Sequence, residues 1–150
     1  MSSVDIQLRN AKFSDAELLL SWRNHVSTRQ ASLTTAEIDL ASHLTWLEAS
    51  LAMPEQRRLW IAELSDEAVG SCRADKKADT WELSWMVAPT ARGRGVAQAM
   101  LQALFVVFDQ SCSAQVKADN VASIKVAERS GFRCVGDVEG VLQFQRDKAN

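Results

Sequence analysis

Apolar residues recur along this chain in two rhythms, one of period two and one near 3.6, and their order predicts the architecture. Ile6 to Asn10 reads as a first strand. Ser14-Asp15-Ala16-Glu17 then has the form of a capping box, with the serine accepting a helix amide and Glu17 reaching back. Leu18, Leu19 and Trp22 continue it as a helix that ends near Trp22-Arg23-Asn24. Leu40, Leu44, Leu47 and Leu51 mark one face of a second helix, closed by Pro54. His43 and Trp46, three apart, fall just beside that stripe, where they either border a groove or form an edge-of-core aromatic with a solvated histidine.

Strands follow at Leu59 to Leu64 and Val69 to Ala74, a hairpin joined across Ser65-Asp66-Glu67-Ala68. A third runs from Trp81 to Val87, with Leu83, Trp85 and Val87 on one face and Glu82, Ser84 and Met86 on the other. Arg94 to Phe108 is helical and apolar on most sides, which predicts a largely buried helix. Ala114 to Lys117 suggests a strand, and Asn120 is suited to cap a short helix ending at Ser130, with Gly131 just past its end. Phe132 to Val135 and Val141 to Phe144 give two last strands. Helices between strands, with hairpins early and late, imply an α/β (α+β) domain around a mixed sheet.

Composition narrows the function classes. At 150 residues, 47% hydrophobic and 24% charged, the chain fits one globular domain spanning residues 1–150. A net charge of −2 lacks the basic excess of a nucleic-acid binder. Met1-Ser2-Ser3-Val4-Asp5 has no basic or apolar run of the signal-peptide kind and no later run approaches a membrane span, so a cytoplasmic protein without a membrane partner is expected. Cys72, Cys112 and Cys134 have no C-x-x-C spacing and read as buried free thiols; His25 and His43 do not form a helical ligand pair, so no metal is implied.

The chemistry concentrates after the third strand, in Ala88-Pro89-Thr90-Ala91 and then Arg92-Gly93-Arg94-Gly95-Val96-Ala97. Two glycines let the backbone approach a bulky anion, successive amides point into the turn, and the helix start adds partial positive charge. Arg92 and Arg94 add donors for phosphate oxygens. A diphosphate fits such a turn; a plain basic turn entering a helix is the other reading. Gln98 stands where a dinucleotide fingerprint needs a third small residue, and no G-K-[ST] completes a P-loop.

With the helix that follows, this segment resembles the GNAT superfamily of acyl-CoA N-acyltransferases, whose signature of Gln or Arg, two residues, Gly, one residue, Gly or Ala is matched by Arg92-x-x-Gly95-x-Ala97. Val87-Ala88-Pro89 is similar to the strand end that precedes it, and Asn120 through Ser130-Gly131-Phe132 to a second family segment. The resemblance implies a mainly antiparallel sheet of about six to seven strands with about four helices. It implies acetyl-CoA as acyl donor, with its pyrophosphate on Arg92 to Ala97 and its pantetheine arm near Asn120 and Ser123. Asn120 serves equally as the helix cap.

The N-terminal half, through Trp22-Arg23-Asn24, His43 to Trp46, Trp60-Ile61-Ala62 and Glu82-Leu83-Ser84, resembles the branch that acetylates nucleotide-linked amino sugars in pseudaminic acid biosynthesis. Trp22, Arg23, Asn24, His43 and Trp46 are then the acceptor-binding candidates, with a UDP-amino sugar as acceptor and the chain a monomer or homodimer. Ser123 to Glu128 also resembles the branch that acetylates ribosomal-protein N-termini, so a protein N-terminus or a small amine is the alternative, and a noncatalytic acyl-CoA-binding module a third. Attack on a thioester needs a neutral amine, and Glu82 is the candidate base; the other reading is a solvent-exposed or ion-paired strand glutamate. Amides near Met86 and Val87 would meet the oxyanion. Ala127 occupies the place of the tyrosine that many relatives use to protonate the thiolate, and the chain has no tyrosine, which leaves Ser84, Ser123, Ser130 or water.

Overall fold

The alternating segments pair into one seven-stranded sheet, and the 3.6-period segments cover its two faces. The computed structural model describes residues 5–33 and 35–149; Met1–Val4, scanned above for a targeting signal, lie outside them. In chain order these are β1 (Gln7–Asn10), α1 (Ala16–Asn24), α2 (Val26–Ala31), α3 (Leu40–Leu51), β2 (Arg57–Leu64), β3 (Glu67–Lys77) and β4 (Thr80–Val87). They are followed by α4 (Val96–Val107), β5 (Cys112–Lys117), α5 (Val121–Arg129), β6 (Arg133–Val138) and β7 (Val141–Arg146). The sheet order is β1-β2-β3-β4-β5-β7-β6, antiparallel throughout except between β4 and β5.

Strand alternation divides the core in two. Trp60, Cys72, Leu83 and Trp85 face α4, where Phe108 meets Trp60 and Trp81 edge-on at 5.1 and 5.2 Å and Phe132 lies 6.3 Å from Trp85. Arg57, Arg73, Asp75 and Glu82 lie on the opposite face with α1 and α3. Gly70 of β3 pairs with Val87 at the end of β4, beneath Met100 of α4. A Cβ there would stand 2.8 Å from the Met86 carbonyl oxygen and 3.2 Å from the Met100 sulfur, so only glycine fits.

Several details differ from the pattern-based reading. The capping box on Ser14 and Glu17 does not form; Asp15 closes the turn instead, its carboxylate accepting from the Lys12 amide at 2.7 Å. That carboxylate is also held by Arg9 at 2.8 and 2.9 Å, and Arg9 bonds Glu63 at 3.0 Å, tying the first helix to the sheet edge. A short helix, α2, lies where no periodicity predicted one. The first hairpin tightens to Ser65-Asp66, both at positive φ. α4 is less buried than expected, since Val106 and Val107 are exposed at its end. Cys72 and Cys112 are buried, with the Cys112 thiol pushed up to about 11 by burial, whereas Cys134 is exposed.

Hydrogen bonds from Arg9 hold the Asp15 carboxyl below its ordinary value of 3.8, against the opposing effect of burial. The unfolded carboxyl titrates at that ordinary value, so this stabilisation is present above it and is lost as pH falls through the lower folded value. Chemical denaturation at stepped pH checks the sign: Asp15→Asn is less stable than the parent at neutral pH, and the gap narrows below about pH 4.

Candidate functional site: a cleft where two strands part

β4 and β5 pair only at Trp81 with Cys112 and Glu82 with Ser113. Beyond that point β4 continues to Val87 and β5 to Lys117 without pairing, which leaves a V-shaped gap. The Trp81 amide donates to the Ser111 carbonyl on the β5 side at 3.1 Å, and the Ala88 amide donates to Val69 on the β3 side at 2.8 Å. Alternation therefore turns the amides of Trp85 and Val87 toward the gap and that of Met86 toward β3. The gap opens into a cavity of about 800 Å³.

One end of the cavity is the glycine turn. Gly93 and Gly95 adopt φ of 77° and 74°, and Gly95 is the N-cap of α4 with no side chain capping the first turn. The leading amides of α4 are thus left for an anion. Gly93, Gly95, Val96 and Ala97 line the cavity; the exposed Arg94 does not. Arg92 lines it as well, but its guanidinium reaches across to α2, bonding the Ser27 hydroxyl and donating to Thr28 Oγ1 at 2.6 Å. Lys117 makes a second tie to α2, donating to the Gln30 carbonyl at 3.0 Å. Asn120 caps α5 through the Ser123 amide at 3.2 Å, and both residues lie on the cavity wall.

The other end lies between α1, α3 and the sheet. Glu82, Ser84 and Met86 line it with Arg23, His43 and Trp46. His43 is only 3% exposed, donates Nε2–H to the Ala16 carbonyl at 2.9 Å and stacks 5.9 Å from Trp46, so it is neither solvated nor simply a groove residue. Burial, with a smaller push from Arg23, lowers its pKa from 6.5, which keeps the ring neutral at pH 7. Trp22 and Asn24 lie away from the cavity lining. Trp22 is in the core, and Asn24 braces the chain after α2, donating to the Ile38 carbonyl at 2.7 Å and accepting from its amide at 2.8 Å.

Ala127 is fully buried, so the place of the missing tyrosine is packed core and not cleft. Of the serines weighed as proton donors, Ser84 and Ser123 line the cavity, while Ser130 accepts from Gln98 at 3.2 Å outside it.

Comparison with known proteins now decides the lineage: residues 5–133 match the acetyltransferase (GNAT) domain family. The chain belongs to that family. The activity is that of an acetyl-CoA-dependent N-acetyltransferase, with acetyl-CoA as the cosubstrate. Its fold is shared with RimL, a ribosomal L7/L12 alpha-N-protein acetyltransferase solved with coenzyme A, at 16% identity, TM-score 0.84 and coverage of 97% of this chain and 96% of that one. It is shared also with the aminoglycoside acetyltransferase AAC(6')-Ib in complex with coenzyme A and kanamycin, at 19% identity, TM-score 0.81 and coverage of 97% and 95%. A ribosomal-protein-alanine N-acetyltransferase from Brucella melitensis matches at 22% identity, TM-score 0.77 and coverage of 94% and 99%.

Sequence reasoning missed Ser27 and Thr28, which no local pattern marks, and Arg73. The last had a readable signal. Arg73 and Asp75 stand two apart in the interior of β3, which puts both charges on one face.

Calorimetric melting tests the donor end: acetyl-CoA at about 100 times its Kd stabilises the protein by about 2.7 kcal/mol. Gly95→Val, which forces a β-branched residue into left-handed backbone, removes most of that shift relative to the variant's own ligand-free melting. NMR titration of His43 gives a midpoint below 6.5.

Proposed function

We infer that this GNAT acetyltransferase acetylates a primary amine on a nucleotide-linked amino sugar, in the cytoplasm, with Glu82 taking the proton of the attacking amine. The observation that carries this reading is the position of Glu82 at the last paired step of β4, on the face that holds Arg23, His43 and Trp46, in one cavity with the glycine turn. A thioester reaching in from that turn meets an amine entering from the α1 and α3 side. The cationic and aromatic wall suits a phosphate-bearing, base-bearing acceptor through ion pairing and stacking.

The amine nitrogen attacks the acetyl carbon, and its proton passes to Glu82 directly or through one water. Amides of Trp85 and Val87 face the developing oxyanion. The carbon–sulfur bond then breaks, and the thiolate takes a proton from water, directly or relayed through a hydroxyl on the cavity wall, Ser84 or Ser123, that solvent reprotonates. A free thiol titrates near 8.5, so the thiolate is a tolerable leaving group at neutral pH. Arg92, Gly93, Gly95, Val96 and Ala97 would hold the pyrophosphate, with Asn120 and Ser123 beside the pantetheine arm.

Acetylation of protein N-termini is the second reading, supported by the likeness of Ser123 to Glu128 to that branch and by what RimL and the Brucella melitensis protein are named for. A mass-spectrometric screen offering UDP-4-amino sugars, peptide N-termini and polyamines separates the two. Acetylated UDP-amino sugar is expected, and acetylated peptide alone would overturn the sugar reading. Glu82→Gln lowers kcat by about 10²- to 10⁴-fold in steady-state assays while the acetyl-CoA melting shift persists.

A further inference from the structure

The acceptor end holds charge that the transfer step does not use. Arg57 on β2 and Arg73 on β3 flank Asp75, whose side chain is 8% exposed. Asp75 accepts from Arg57 Nε and from Arg73 Nε, the latter at 3.0 Å, and Arg57 also donates to the Ser50 hydroxyl at 3.0 Å. The Trp46 ring lies against this pair, with the guanidinium carbons of Arg57, Arg73 and Arg23 at 5.2, 5.5 and 5.8 Å from its centroid.

Three guanidiniums therefore surround one indole, and a single buried carboxylate sits between two of them. Glu82 is directly across the strand pair from Asp75. Counting both carboxylates against three arginines still leaves one positive charge, and neutral His43 does not alter that sum. Arg23 makes no hydrogen bond or ion pair among the described residues, although it is half-buried. Burial and repulsion from Arg73 and Arg57 both act against its charge. Of the three, Arg23 and Arg73 line the cavity and Arg57 does not.

A half-buried cation beside like charges is costly unless an anion completes its surroundings. Guanidinium forks match carboxylate and phosphate oxygens in shape as well as in sign. We propose that Arg23 and Arg73 form a two-guanidinium clamp for an anionic group, a phosphate or a carboxylate, carried by the acceptor amine. Asp75 is the positioning residue that holds the Arg73 fork against Trp46. The clamp rests on the reading that the acceptor lies over Glu82. It goes further in making acceptor charge the selecting property, so that polycationic amines are poor substrates.

Calorimetric titration of the full chain saturated with coenzyme A, which binds without turnover, tests the clamp through two matched pairs: glucosamine 6-phosphate against glucosamine, and β-alanine against β-alaninamide. The anion-bearing member of at least one pair binds about tenfold tighter, the size expected of one charge-assisted contact. Which pair responds tells phosphate from carboxylate. Arg23→Gln and Arg73→Gln each abolish the preference of the anion-bearing member over its neutral partner. Asp75→Asn weakens it too, and since that change strands two arginines, Arg73→Lys, which keeps the charge but not the fork, is measured beside it and loses most of the preference. Equal binding within both pairs, no binding of any member, or a preference that survives both glutamine variants overturns the clamp. A preference without acetylation of any member by acetyl-CoA supports the clamp and counts against the placement of the acceptor over Glu82.

Discussion

Parallel pairing between β4 and β5 stops after Glu82 and Ser113, and the rest of the cleft follows from that stop. Two strands that separated in an ordinary core would strand backbone donors and acceptors at a cost. Here the unpaired edge of β4 becomes the wall of a cavity, so the groups that pairing abandons are available to a ligand. The separation is held from both faces. Below the sheet, Met100 of α4 packs where Gly70 lets β3 approach the Met86 carbonyl, which fixes the end of β4. Across the opening, α2 is tied to Arg92 beyond β4 and to Lys117 at the end of β5.

The two ends of the cleft use positive charge in different ways. At the glycine turn it is spread over the leading amides of α4, fixed by backbone geometry and independent of pH. At the end between α1, α3 and the sheet it is concentrated in side chains that pack on Asp75 and Trp46. Glu82 lies between the two ends at the fork, on the sheet face that carries Arg57 and Arg73 and directly across the strand pair from Asp75. A neutral His43 fits this arrangement, because a protonated ring beside Arg23 would add to the repulsion already there.

Apart from α2, the order of strands and helices and the caps at Asn120 and Gly131 were legible in the sequence, because each depends on residues only a few positions apart. Side-chain period, a helix cap and a glycine turn are local properties, and the segment that opens α4 is built almost wholly from them. The first capping box failed for a related reason: the serine and glutamate have the right spacing, but the long-range pull of Arg9 on Asp15 sets the turn. α2 has no period to announce it and is held by contacts with Arg92 and Lys117, far along the chain.

Sequence by itself thus determined the family, the mixed sheet and the place of the glycine turn that opens α4. Only the tertiary structure decided which of the candidates line the cleft: it put Trp22 in the core, turned Asn24 into a brace, buried His43, and gathered Arg23, Arg73 and Asp75 near Trp46. The physical reason is register. A one-residue slip of β3 against β2 or β4 would carry Arg73 and Asp75 to the other face of the sheet, and nothing local in either strand states which face α3 will cover.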